Sequence, residues 1–111
     1  MWWADLPPPT GSGPGFLRPV VVVQGNAFNR SRIRTVLCVP LTGNLRLAGS
    51  PGNVTLMSDS TGLPHDSVAN VSGLLAVDRE LLLERTGHVS DPDLELVFSG
   101  IDVVLGRQST S

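Results

Sequence analysis

The chain has no lysine, no tyrosine and a single cysteine, Cys38, among its 111 residues. One thiol cannot close a disulfide within the chain or seed a cysteine-based metal cluster. Its place inside an apolar run fits a small buried hydrophobe. The two histidines, His65 and His88, share no metal-ligand spacing with acids or with Cys38, so neither a structural zinc nor a cofactor is expected. No apolar run is long enough to span a bilayer, and no basic leader precedes an apolar stretch. The expectation is a soluble cytoplasmic protein. Aromatic residues make up 5% of the chain, so one aliphatic core must hold a single domain together.

Without lysine, every cationic side chain other than histidine is an arginine. A codon bias accounts for this as well as chemistry does, but the planar guanidinium fork suits phosphate and carboxylate better than an ammonium. Net charge is −2, which does not announce a nucleic-acid binder. The distribution says more. Residues 1–50 carry five arginines and one acid, Asp5, whereas residues 51–111 carry three arginines and nine acids.

Arg18-Pro19-Val20-Val21-Val22-Val23-Gln24 is the organising stretch. Four β-branched valines in a row read as a strand over 19–24, buried on both faces, with Pro19 at its first position. Arg18 at its entrance must reach solvent, an anion or a carboxylate. The loop before it, residues 7–17, is rich in proline and glycine. Gly11-x-Gly13-x-Gly15 leads into no helix, so a dinucleotide cradle fits poorly. Ser12 and Ser67 lack the glycine elbow of a nucleophilic hydrolase.

The rest reads as many short strands and one helix. Residues 1–6 form a strand; 26–34 is a polar connection that sets Arg30, Arg32 and Arg34 on one face. Thr35 to Val39 is a second buried strand ended by Pro40, followed by a turn over 41–44. A strand through Val54 and Leu56, a loop over 59–64, and strands over 66–71, 74–77 and 85–89 follow, with Asp78 capping a short helical turn. Leu94, Val97, Phe98, Ile101, Val104 and Leu105 recur at helical spacing behind a Ser90 or Asp91 cap. Gly100 inside that helix predicts a close contact. His88 reads as structural. The sum is an α+β domain with a strongly curved antiparallel sheet and a C-terminal helix.

Trp2-Trp3-Ala4-Asp5-Leu6, Gly11-Ser12, Arg18 to Gln24, Asn26-Ala27-Phe28-Asn29, Val39-Pro40-Leu41-Thr42, Pro51-Gly52-Asn53-Val54 and Gly62 to Val71 occur in that order. In these motifs the chain resembles the MazF/PemK family of bacterial toxins. The likeness covers 1–107 as one domain and leaves 108–111 as a tail of disordered composition. The resemblance implies a small SH3-like barrel, a homodimer and a sequence-specific endoribonuclease acting on single-stranded RNA without metal. It implies 2′,3′-cyclic phosphate and 5′-hydroxyl ends, and an antitoxin partner. Its catalytic positions fall on Arg18 and Thr42. Ser12, Phe16, Gln24, Asn26, Phe28, His65, Ser67 and Asn70 are the candidate RNA contacts. The general base is left open, with His65 a candidate. The same barrel also occurs in a toxin that poisons DNA gyrase, and a paralogue that only binds antitoxin is a third reading. Three departures stand out: the given sequence starts at the tryptophans where relatives usually carry a basic-Gly-acid segment before them, Gly43 stands where relatives often have serine, and His65 stands where they often have Lys or Arg.

Overall fold

The computed structural model describes residues 1–6 and 16–107. The expected loop over 7–15, with Ser12, and the tail 108–111 lie outside them. Seven strands build one curved antiparallel sheet: β1 (Trp2–Leu6), β2 (Phe16–Val22), β3 (Thr35–Thr42), β4 (Val54–Leu56), β5 (Ser67–Ala69), β6 (Leu75–Asp78) and β7 (Leu82–Arg85). Their order is β4-β5-β3-β2-β1-β7, and β6 also pairs with β3. The two ends of this path do not pair, so the sheet curves without closing. Among the described residues three α-helices accompany it: α1 (Asn26–Asn29), α2 (Ser58–Thr61) and α3 (Asp91–Val104).

The middles of β2 and β3 contribute buried residues to both faces of the sheet. Val21, Val39 and Leu41 face one apolar cluster with Leu56, Val71 and Val97. Val20, Val36 and Cys38 face another with Ala4, Leu6 and Val77. The odd and even positions of one strand thus serve two cores. Burial pushes the Cys38 thiol up to about 11, so it stays protonated and unreactive at neutral pH.

Several boundaries differ from the sequence expectation. β2 begins at Phe16, so Pro19 is its fourth residue. Pro40 does not end β3 but lies inside it. It stands between Cys38, the last partner of β6, and Leu41, the first partner of β5. No ladder donor is needed at that gap. Residues 26–29 and 58–61 form short helices, and Leu45–Gly49 forms a 3₁₀ turn capped by Asn44. The last strand runs over 82–85 rather than 85–89, and His88 is exposed beyond it, its N–H bonded to the Thr61 carbonyl. The cap at Asp78 forms as expected, accepting from the Glu80 N–H.

α3 starts at Ser90, whose hydroxyl accepts from the Asp93 N–H at 3.2 Å. Val97 is buried, and Leu94 and Ile101 pack beside it. Gly100 meets Gly52 backbone to backbone: a Cβ at either position strikes the other's carbonyl oxygen, and Gly52 adopts φ +83. That contact fixes the helix's rotation and leaves Phe98, Val104 and Leu105 exposed, although their spacing matches the buried line. Among the described residues no helix is long and apolar enough to cross a membrane.

Candidate active site

The site forms where the second core runs out. Along the even face of β3, Val36 and Cys38 are buried, while Pro40 and Thr42 are half-exposed. The register pairs Val20 with Pro40, Val21 with Val39 and Val22 with Cys38. Carried two steps on, it sets Arg18 opposite Thr42. Directly opposed residues of an antiparallel pair share a face, so the guanidinium and the hydroxyl emerge side by side from adjacent strands. On its other side Arg18 pairs with Ala4, a small residue that leaves the long side chain room to lie across the sheet.

The peptide groups explain how Arg18 is held. Val23 N–H donates to the Leu37 carbonyl and Asn70 N–H to the Pro40 carbonyl, each at 3.0 Å. The odd positions of β3 therefore turn their peptides toward β2, and the even ones away from it. Leu41 faces Pro19, which has no N–H to give. Arg18 supplies the donor instead: its guanidinium reaches the Leu41 carbonyl at 3.4 Å. The missing proton on Pro19 thus docks the arginine of the preceding residue beside Thr42. Sequence reasoning placed Pro19 only as a strand opener; the signal was the Arg-Pro pair itself.

Thr42 closes β3. Its hydroxyl oxygen accepts from the Asn44 N–H at 3.1 Å, a local turn that fixes the side chain and leaves its proton to donate outward. Gly43 has open space around a notional Cβ and no positive φ, so a serine would fit there too.

Asn70 joins this end of the sheet. Its N–H bond to Pro40 places it two positions from Thr42 along β3, about 7 Å of strand. Its Oδ1 accepts from Asn53 Nδ2 at 3.3 Å and from the Ser72 hydroxyl at 3.2 Å. Asn53 also donates to the Leu47 carbonyl at 2.8 Å and accepts from the Val71 N–H at 3.0 Å. It ties together the turns that follow Thr42 and Asn70. Sequence reasoning treated Asn53 only as part of a turn. Ser67 is buried and pairs with Leu56. His65 is exposed just ahead of β5, and no hydrogen bond orients its ring among the described residues.

The remaining candidates lie elsewhere. Gln24 and Asn26 sit beyond the far end of β2, six or more residues from Arg18, about 20 Å along an extended chain. Gln24 is engaged with β3: Nε2 donates to the Thr35 carbonyl at 3.4 Å and Oε1 accepts from the Leu37 N–H at 3.2 Å. Asn26 starts α1, and its carbonyl accepts from the Arg30 backbone and side chain. Phe16 opens β2 opposite Leu6, and Phe28 lies in α1. The expected row of Arg30, Arg32 and Arg34 is not extended: Arg30 folds back on α1, while Arg32 and Arg34 line an open groove of about 380 Å³ with Arg79, Asp78 and Glu80. Among the described residues no cluster of three or more His, Cys, Asp or Glu side chains could hold a metal ion.

Comparison with known proteins gives this arrangement a context. Residues 1–105 match the model of a family described as PemK-like, MazF-like toxin of type II toxin-antitoxin system. The endoribonuclease MazF6 of Mycobacterium tuberculosis is 42% identical over 105 residues, which cover 95% of this chain and 92% of that protein. Among solved structures, the M. tuberculosis toxin MazF-mt6 superposes with a TM-score of 0.77 at 15% identity, covering 98% of this chain and all of that one. An endoribonuclease in complex with its cognate antitoxin, from a mycobacterial species, superposes at 0.75 with 24% identity, covering 97% and 92%. At those identities the structural likeness speaks to the fold: the curved sheet with its C-terminal helix is that of the MazF toxins.

Proposed function

The chain belongs to the PemK-like, MazF-like toxins of type II toxin-antitoxin systems, and on that footing we propose that it is a cytoplasmic endoribonuclease whose reacting side chains are Arg18 and Thr42. The carrying observation is the Arg18 guanidinium on the Leu41 carbonyl, next to Thr42, in line with the β2–β3 register carried two residues beyond Val20 and Pro40. The substrate is single-stranded RNA. The ribose 2′-oxygen attacks the adjacent phosphorus; the new O–P bond forms as the bond to the 5′-oxygen breaks. The products are a 2′,3′-cyclic phosphate and a 5′-hydroxyl.

Negative charge builds on the phosphoryl oxygens in that step. A fixed guanidinium supplies, without a metal, the charge-assisted donors that stabilise it. The Thr42 hydroxyl, its oxygen already taken by Asn44 N–H, donates to the phosphate or to the departing 5′-oxygen. Neither residue takes a proton at neutral pH. The acceptor of the 2′ proton therefore lies outside this pair, and the exposed His65 ring is the candidate base.

The test is RNA cleavage with end mapping. Arg18→Ala is expected to lose about 100- to 1000-fold in rate, the scale of removing one oxyanion donor. Arg18→Lys restores little, because a point charge does not reproduce the fork. Chelator leaves the rate unchanged. If Arg18→Ala cleaves at the wild-type rate, the site is wrongly placed. Intact RNA with the wild-type protein favours the gyrase-poisoning alternative.

The reading includes a homodimer and an acidic antitoxin. Arg32, Arg34 and Arg79 lie at the opposite end of β3 from Arg18, about 20 Å away along the strand. A partner touching both must run the length of the sheet. Sedimentation at micromolar concentration should show a dimer, and an acidic peptide should bind it less tightly as salt rises; a monomer, or salt-independent binding, counts against these assignments.

A further inference from the structure

Asn70 sits beside the reacting pair with only half of its amide in use. The polarity of that amide is not free. Val71 N–H can only donate and the Leu47 carbonyl can only accept. Asn53 bridges them, so its oxygen must face Val71 and its nitrogen Leu47. The same nitrogen then faces Asn70, which must answer with its oxygen. Ser72 adds a second donor to that oxygen. Two fixed backbone groups therefore dictate, through Asn53, which way the Asn70 side chain is turned.

The Nδ2 group of Asn70 is the remainder. It donates to nothing among the described residues, and no buried side-chain nitrogen or oxygen there lacks a partner, so it is open to solvent. The space in front of it is kept by a glycine. A Cβ on Gly73 would lie 3.2 Å from Asn70 Nδ2 and 3.1 Å from Pro40 Cγ. Pro40 shares the even face of β3 with Thr42. The result is a donor of fixed polarity, bordered by a flat ring, about 7 Å of strand from the reacting hydroxyl.

We infer that Asn70 reads the base next to the scissile phosphate as a hydrogen-bond acceptor, with Asn53 and Ser72 as the positioning residues that fix its polarity. The inference rests on the nuclease reading above. A base with a carbonyl at this edge, uracil O4 or guanine O6, is accepted. A base presenting an amino group there, cytosine N4 or adenine N6, sets donor against donor. The site distinguishes keto from amino bases at one position flanking the cut.

The experiment is cleavage of a pool of single-stranded RNAs randomised around the cut, with the ends sequenced. At one flanking position wild type should prefer keto over amino bases by about 5-fold or more, the worth of one hydrogen bond. Asn70→Asp keeps the oxygen that Asn53 and Ser72 hold and exchanges the donor for an acceptor. The preference at that position should reverse toward amino bases. Gly73→Ala crowds the donor without removing it, and the preference should shrink toward none. Should Asn70→Asp fail to fold, judged by its melting curve, Gly73→Ala decides alone. A preference that is unchanged in the folded variants overturns the inference while leaving the nuclease intact. A wild-type protein that cuts no RNA overturns the nuclease reading and the inference with it.

Discussion

Two side-chain amides sit at opposite ends of β3 and do opposite things. Gln24, at the N-terminal end, gives both its polar atoms to the strand. β2 peels away after Val23, and the amide of Gln24 continues the ladder in place of a peptide unit, bonding the Thr35 carbonyl and the Leu37 N–H. Asn70, at the C-terminal end, gives only its oxygen to the fold. One amide serves as backbone and the other as a tool. Sequence cannot separate them: both are polar residues beside apolar runs. What separates them is whether the neighbouring backbone leaves donors and acceptors for them to complete. At the Gln24 end the ladder is short of partners. At the Asn70 end Asn53 and Ser72 have already settled the account of one atom and freed the other.

The strongest way to sharpen this contrast is to make the active end of β3 behave like an ordinary ladder. Pro19→Ala restores an N–H opposite the Leu41 carbonyl. That bond competes directly with Arg18, and the guanidinium loses its dock. We expect kcat to fall about 10-fold, since misplacement of a reacting group costs at least that much. Stability should hardly move: the added backbone bond contributes about 0.5–1.5 kcal/mol, and removing proline costs about 0.4–1 kcal/mol through the unfolded chain. Single-turnover cleavage and a melting curve on the same sample check both halves. An unchanged rate with a lowered Tm would make Pro19 a structural residue only.

Much of the fold was legible because it depends on composition along the chain. The valine run gave a doubly buried strand, the spacing after Ser90 gave α3, and Gly100 gave a close contact, now seen against Gly52. The misplaced boundaries share a cause. Pro19 and Pro40 punctuate a strand when read locally, yet both lie inside strands: Pro19 where the Arg18 guanidinium supplies the missing donor, and Pro40 at a gap where no ladder donor is required. That gap exists only once β5, β6 and β2 have docked. The proposed site rests, for the choice of Arg18 and Thr42, on resemblance to a family; the register that relates the two strands was not legible, since register is a tertiary fact. Gln24 and Asn26, candidate RNA contacts by sequence, lie far from Arg18 for a plain geometric reason: a strand carries its two ends apart. Asn53 went unnoticed because its work lies in linking residues 47, 70 and 71, which no spacing in the sequence brings together.

The smallest expected effect on turnover belongs to the other amide. Gln24→Ala deletes, among its contacts, the hydrogen bonds to Thr35 and Leu37 at the end of the β2–β3 ladder. Leu37 is 43% exposed, so its freed N–H finds water, and the loss stays near the low end for such bonds, about 1 kcal/mol for the pair. For a domain of this size that lowers Tm by about 4 °C. Arg18 and Thr42, the proposed reacting pair, are about 20 Å away along the strand, so kcat on single-stranded RNA should stay within about 2-fold of wild type, measured well below the new Tm. Thermal melting and cleavage therefore separate the two roles of Gln24. A lowered Tm with preserved cleavage makes it a surrogate peptide. A preserved Tm with a raised KM would return it to the RNA-binding residues, where the sequence first placed it, and would mean that single-stranded RNA follows β2 along its whole length.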